Sequence, residues 1–199
     1  MNILVDLHLY QPAIYTSRYN ILDLAGLDDL SSLGAPILFT HIRYGAYFRE
    51  LLVPIANEYG IHPLTLYSLI RQESLFNPYI GSSAGAIGLA QIIPSTAQDI
   101  KSRLEWPSDY EVTDLYRAEV NLSYGAFYLS TNFSALSGNI QAALAAYNAG
   151  QGNAAIWLKL SKGDPDLFFE IVRFLETQTY LMHIAEFLNI YELVYSRDY

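Results

Sequence analysis

The sequence predicts an all-α fold, and three observations carry that prediction. Apolar residues recur at helical spacing through most of the chain. No stretch alternates apolar and polar residues for long enough to make a strand. Proline and glycine stand where helices would begin and end. The 199 residues carry 52% hydrophobic and 16% charged side chains, ample material for the core of one domain and the opposite of a disordered composition.

Taken in order, residues 12–24 place Ala13, Ile14, Ile21, Leu22 and Leu24 along one helix that stops near Gly26. Residues 28–36 read as turns and a short helix. Residues 48–59 carry Leu51, Leu52, Ile55 and Ala56, with Gly60 as the stop, although Pro54 inside this helix removes one backbone hydrogen bond. Pro63 occupies the first position of a helix running through Ser74. Residues 77–94 break the pattern: Asn77-Pro78, Gly81, Gly85 and Gly88 with Ser82 and Ser83 make a long turn with one short helical piece. Helices resume after Pro94 and run to Leu104, and residues 106–114 form a loop. Residues 117–132, 140–148, 153–162 and 176–195 complete the set, with no internal repeat.

Composition excludes several functions. Eleven Lys and Arg against 20 Asp and Glu leave a formal charge of −9, which would repel a polyanion, so nucleic acid is not an expected partner. There is no cysteine, hence no disulfide scaffold and no thiolate zinc site. His8, His41, His62 and His183 show no ligand spacing and no acidic calcium loop is present, so neither a metal nor a cofactor is expected. No apolar stretch is long enough to span a bilayer. The first ten residues carry Asp6 and His8 and lack a basic lead-in, unlike a signal peptide. The anomaly is aromatic: 17 Tyr, nine Phe and two Trp make 14%, side chains that suit sugar rings as well as half-buried helix faces.

Glu73 is the most informative single residue. The apolar stripe Leu66, Leu69, Ile70 of its helix reaches Glu73 next, and a carboxylate on a buried face is costly unless it is paired or keeps its proton. Desolvation would raise its pKa toward the value a general acid needs, whereas pairing with a cation such as Arg71, or a stripe turning to solvent, would make it structural. Ser82 and Gln91 in the following glycine-rich segment would set neutral hydrogen-bonding groups beside it, suited to the hydroxyls and amides of a sugar. That segment lacks the Gly-Lys-Ser/Thr ending of a phosphate loop. Tyr147 points inward from the helix ended by Gly150 and needs a partner for its hydroxyl, either a carboxylate or the backbone. Glu176, in the first turn of the last helix, is explained by the helix dipole alone.

Five ordered elements resemble the catalytic domain of the soluble lytic murein transglycosylases. They are Glu-Ser-x-x-Asn-Pro at residues 73–78, then Ser82 with Gly85-Ala86-x-Gly88-Leu89-x-Gln91-Ile92-x-Pro94-x-Thr96-Ala97, Asn121-x-x-x-Gly125-x-x-Tyr128-Leu129, Ala145-Ala146-Tyr147-Asn148-Ala149-Gly150, and Glu176-Thr177-x-x-Tyr180. The resemblance covers roughly residues 44–195. It implies a lysozyme-like, goose-type helical catalytic domain over residues 44–199, preceded in residues 1–43 by the end of a helical superhelix. It implies Glu73 as the sole catalytic acid and base, and Ser82, Gln91, Ile93, Tyr147 and Glu176 as substrate-binding positions. The family often has methionine where Ala90 and Ile93 stand here, which reshapes the apolar wall of the groove. Gln178 replaces its arginine, and the acidic balance departs from its basic members.

The reaction so implied is cleavage of the β-1,4 bond between N-acetylmuramic acid and N-acetylglucosamine in peptidoglycan glycan strands, closing a 1,6-anhydro ring without net water. One carboxylate serves twice where most glycosidases need a pair. The resemblance also implies a place in the cell envelope or outside the cell, and a chain that is the C-terminal part of a longer exported protein. Two alternatives remain. A lysozyme-like hydrolase would need a second carboxylate, with Asp99 or Glu176 as candidates. A glycan-binding module of the same fold would have no use for an acid.

Overall fold

The computed structural model describes residues 2–27 and 34–197. Among the described residues the helices are α1 (Asn2–Asp6), α2 (Tyr10–Tyr15), a π-helical run (Thr16–Leu22), α3 (Ile37–Arg43), α4 (Arg49–Glu58), α5 (Pro63–Ser74) and α6 (Pro94–Leu104). After a 3-10 turn (Val112–Tyr116) come α7 (Ala118–Ala135), α8 (Ile140–Ala149), α9 (Gln151–Ser161), α10 (Pro165–Ile171) and α11 (Leu175–Tyr195). The all-α prediction holds: the extended pairing among these residues amounts to two isolated bridges, Gly81 with Ile87 and Ile87 with Ile92.

The fold is organised around α5. Pro63 opens it, the His62 ring nitrogen Nδ1 accepts from the Leu64 N–H at 3.3 Å, and Leu75 closes it in the left-handed region at φ 49°. Leu64, Leu66, Tyr67, Leu69 and Ile70 are at most 1% exposed, so protein surrounds the helix on nearly every side. Burying each of those leucines stabilises the fold by roughly 1.5–3 kcal/mol. The hydroxyls of Ser68 and Ser74 donate back to the Leu64 and Ile70 carbonyls, which lets two polar side chains share the core. α11 lies along α5, α4 packs on α5 and α7, and α8 joins α7, α9 and α11. This packing fixes the last turn of α5, where Glu73 stands.

The N-terminal segment is docked on this body. Tyr10 stacks on Tyr47 with ring centres 4.0 Å apart, and the Asn77 side-chain amide donates to Gln11 at 2.9 Å. The single helix expected over residues 12–24 starts two residues earlier and widens into a π-helical run after Tyr15. Ala13, Ile14, Ser17 and Leu22 face inward, while Leu24 is exposed. The extra residue per turn brings Leu22 to the core and sends Leu24 outward. The reading of residues 28–36 falls mainly on residues 28–33, which lie outside the described residues.

Other differences are local. Pro54 does lie inside α4, on its exposed side, where its ring meets solvent rather than neighbouring helices. The short helical piece expected within residues 77–94 is absent, and the segment closes on itself through the two bridges instead. Three helices escaped the periodicity argument, α1, α3 and α10. The last carries a start signal, Asp164 accepting from the Leu167 N–H at 2.9 Å ahead of Pro165.

Candidate active site

Glu73 and Tyr180 form the centre of the site. α5 and α11 run alongside each other, and the Tyr180 hydroxyl donates to Glu73 Oε1 at 2.6 Å. By exposed area Glu73 is half-buried, yet the atoms packed round its carboxyl nearly enclose it, and that enclosure governs its desolvation. Burial raises its pKa from the ordinary 4.5 to about 7, while the Tyr180 hydrogen bond pulls the other way by favouring the ionised form. Burial, and next the nearby carboxylate, hold the Tyr180 phenol well above its ordinary value, so the phenol keeps its proton and donates it. Arg71, the cation that could have neutralised Glu73, does not pair with it; its Nη1 donates to the Arg43 carbonyl.

A cavity of about 450 Å³ opens in front of this pair. Glu73, Tyr180, Asn148, Glu176, Thr179 and His183 are among its walls. Thr177 is 1% exposed and donates to Asn148 Oδ1 at 2.6 Å, which fixes the side-chain amide so that its Nδ2 points toward Glu176 at 3.5 Å. Glu176 thus belongs to the site, at its exposed rim and one helical turn before Tyr180 on α11. Asp99 does not line the cavity; it is exposed on α6, 4.0 Å from Arg103. Among the described residues no group of His, Asp and Glu is arranged to hold a metal ion.

The glycine-rich segment is clamped from behind by α7. Asn121, 1% exposed, accepts from the Ala90 N–H at 2.7 Å and donates to the Ile87 and Leu115 carbonyls at 2.9 and 2.7 Å. Gly88 has φ 79°, and a Cβ there would lie 2.4 Å from Asn121 Nδ2, so only glycine lets the loop close on its clamp. A Cβ on Gly125 of α7 would lie 2.5 Å from the Ala90 Cβ, which is why the helix is bare at this point.

Three residues expected at the site spend their hydrogen bonds on the protein itself. Gln91 at φ 49° turns its amide on its own loop, donating to the Gly88 and Ile80 carbonyls at 2.9 and 3.3 Å. Ser82 is exposed, and its hydroxyl oxygen accepts from the Ala86 N–H at 3.0 Å. Neither bonds to Glu73: short polar side chains in a turn satisfy the nearest backbone first. Tyr147 donates to the Ala90 carbonyl at 2.8 Å, the backbone alternative rather than the carboxylate one. Burial and then the nearby Glu73 carboxylate nonetheless raise its pKa well above the ordinary value. Ile93 is 43% exposed at the start of α6, an apolar side chain offered to solvent beside the loop.

Sequence reasoning missed Tyr180, Asn148 and Asn121 as functional positions. Each sits inside a recognised motif, and Tyr180 follows Glu176 by four residues, the spacing that puts both on one helix face.

A family model for the transglycosylase SLT domain matches residues 51–167, and the chain belongs to this family of lytic transglycosylase domains. Among its relatives, the soluble lytic murein transglycosylase of Salmonella typhimurium is 31% identical over 154 residues, which is 75% of this chain and 24% of that protein. The fold matches a lytic transglycosylase Slt from Pseudomonas aeruginosa, solved as an inactive mutant with glutamate changed to glutamine, at TM-score 0.77 and 30% identity. That match covers 98% of this chain and 30% of the other. The 70-kDa soluble lytic transglycosylase of Escherichia coli matches at TM-score 0.75 and 26% identity, over 94% of this chain and 30% of that one. The chain therefore spans about a quarter to a third of the length of these proteins.

Proposed function

We propose that this chain is a peptidoglycan lytic transglycosylase domain, cleaving the β-1,4 bond between N-acetylmuramic acid and N-acetylglucosamine with Glu73 as its acid and base. The observation that carries the proposal is the Glu73 carboxyl enclosed on the wall of a cavity, bonded to a phenol and to no cation. A carboxyl near pH 7 in its titration exists in both forms under neutral conditions, as a group that must first give and then take a proton requires.

In the first step protonated Glu73 donates to the glycosidic oxygen as its bond to the muramic C1 breaks, and the acetamido oxygen of the same sugar supports the positive charge. In the second, ionised Glu73 takes the proton of the muramic 6-hydroxyl as that oxygen bonds to C1. The 1,6-anhydro ring closes and Glu73 regains its proton. Tyr180 holds the carboxyl in place and lowers the cost of its ionised form. Tyr147 and Asn121 support the loop that carries Ser82, Gln91 and Ile93, which forms the facing wall in this reading, while Asn148 and Glu176 meet the sugar hydroxyls at the rim.

Residues 44–199 are the catalytic unit in this proposal, and residues 1–43 are an extension laid against it. Relatives named as murein transglycosylases support a place in the cell envelope, where the glycan strands are. Among the described residues no helix is long and apolar enough to cross a membrane.

The test is mass spectrometry of the products released from purified peptidoglycan. Muropeptides ending in anhydromuramic acid, lost in Glu73→Gln, are the expected result. Reducing muramic ends would make the chain a hydrolase and turn attention to Glu176. Full activity in Glu73→Gln would overturn the assignment.

A further inference from the structure

A second groove, of about 560 Å³, lies between α4 and α7 and shares none of its walls with the Glu73 cavity. Three exposed carboxylates stand along it, Glu50 and Glu58 on α4 and Glu119 on α7. No Lys or Arg is among its walls, and none of the three glutamates is ion-paired among the described residues. Tyr59 and Trp106 stand beside them. The fully buried Tyr124 donates its hydroxyl to the Trp106 carbonyl at 2.8 Å, which ties the Trp106 backbone to α7 while its side chain stays 37% exposed.

Ser123 supplies a separate observation. It is 9% exposed, lines the groove one turn after Glu119 on α7, and its hydroxyl bonds to no described residue. A helical serine readily returns its hydroxyl to the carbonyl four residues back, as Ser68 and Ser74 do on α5. A nearly buried hydroxyl that instead faces a groove is completed by what enters the groove. The negative charge there is spread out. Among the described residues no three acidic side chains are arranged to hold a metal ion, so these glutamates do not converge on one cation. Glu50 and Glu58 stand eight residues apart on α4, about 12 Å along its axis. Aromatic rings beside carboxylates suit a guanidinium, which stacks on a ring face and gives two parallel hydrogen bonds to a carboxylate.

We infer that this groove docks a basic segment of another protein, an extended stretch with arginines four positions apart that meet Glu50 and Glu58. Extended backbone advances about 3.3 Å per residue, so four residues span about 13 Å, close to the interval between the two carboxylates. Side chains at that spacing leave the same face of the segment. Glu119 adds to the attraction, and Ser123 bonds the peptide between the arginines. The groove shares no wall with the Glu73 cavity, so a partner held there leaves the cavity open.

Calorimetric titration with the blocked peptide acetyl-Arg-Ala-Ser-Ala-Arg-amide tests this. The expected result is one-to-one binding that weakens about tenfold when both arginines become citrulline, which keeps their shape and loses their charge. The double variant Glu50→Gln with Glu58→Gln should weaken it by the same factor, and both positions are exposed, so the variant should fold as the parent does. Binding should also shift the fluorescence of Trp106, and Trp106→Phe should abolish that response, since the other tryptophan, Trp157, is 5% exposed and packed on Phe174. Absence of binding, equal affinity for a peptide with its arginines adjacent, or unchanged affinity in the double variant would each overturn the docking site. Three further outcomes would overturn its assignment to a protein segment. Tighter binding of spermidine would make the groove a polyamine site, and tighter binding of chitotetraose a glycan site. A dimer of the parent that dissociates in the double variant would make it a contact between copies of this chain.

Discussion

The Tyr180 hydroxyl reaches across 107 residues of sequence to donate a 2.6 Å hydrogen bond to Glu73 Oε1. Because it favours the ionised carboxylate, this bond opposes the burial that raises the Glu73 pKa to about 7. Tyr180→Phe removes the opposition and leaves the carboxyl in an apolar setting. The Glu73 pKa should rise further, and the limb of the pH–rate profile that follows its ionisation should move to higher pH. Turnover near neutrality should fall about tenfold, since the ionised form needed for the second proton transfer becomes scarcer. A profile moving to lower pH would contradict the assigned direction of the bond.

The contact between α7 and the glycine-rich loop gives a compensating pair. In Gly125→Ala the new methyl meets the Ala90 Cβ, so the loop must retreat by the better part of an ångström although alanine is the better helix former. Activity should drop at least about tenfold. Ala90→Gly removes the obstructing atom, so the double variant should recover most of the lost rate in the same product assay. Equal losses in the single and double variants would show that the two residues are not coupled through this contact.

Tyr147 offers a different outcome from that of a tyrosine acting on the carboxylate directly. Its hydroxyl supports the Ala90 carbonyl, so Tyr147→Phe leaves an acceptor on a buried residue without its donor and should cost about 1–3 kcal/mol in urea unfolding. Turnover should fall with it, because the same loop forms a wall of the site in the proposed reading. Lost turnover with unchanged unfolding would return the hydroxyl to a role on the sugar.

Much of this was legible from residue order. The stripe Leu66, Leu69, Ile70, Glu73 located the buried acid, and proline and glycine marked α4, α5, α6 and α8 to within a few residues. Helix-face logic also put Tyr147 inward. It could not say what the inward hydroxyl would meet, because that depends on a loop 57 residues earlier in the chain. The partners of Ser82 and Gln91 were hidden for a related reason: composition shows which polar groups a turn contains, while the local backbone bonds they make are decided by turn geometry. Tyr180 was visible only as the end of the Glu176-Thr177-x-x-Tyr180 element, since a position in a motif does not show which side chain 107 residues away its hydroxyl will meet.

Replacing the acid itself should produce a pH-dependent gain in stability. Glu73 titrates near the ordinary 4.5 when unfolded and at about 7 when folded, so folding takes up a proton between those values. Below about pH 4 the carboxyl is neutral in both states and burial of its charge costs nothing. As pH rises through 7 the folded protein must hold an enclosed carboxylate, and it loses stability on the order of 2–3 kcal/mol, somewhat less than full conversion of the shift because the residue is half-exposed. Glu73→Gln fits the same space, can still accept from Tyr180 and never ionises. Urea titrations at pH 4, 6 and 8 should therefore show the Gln variant gaining on the parent by that amount across the series, most of it between pH 5 and 8. A stability difference independent of pH would mean that Glu73 is not desolvated in the folded protein, and the case for it as a neutral-pH acid would fall with that result.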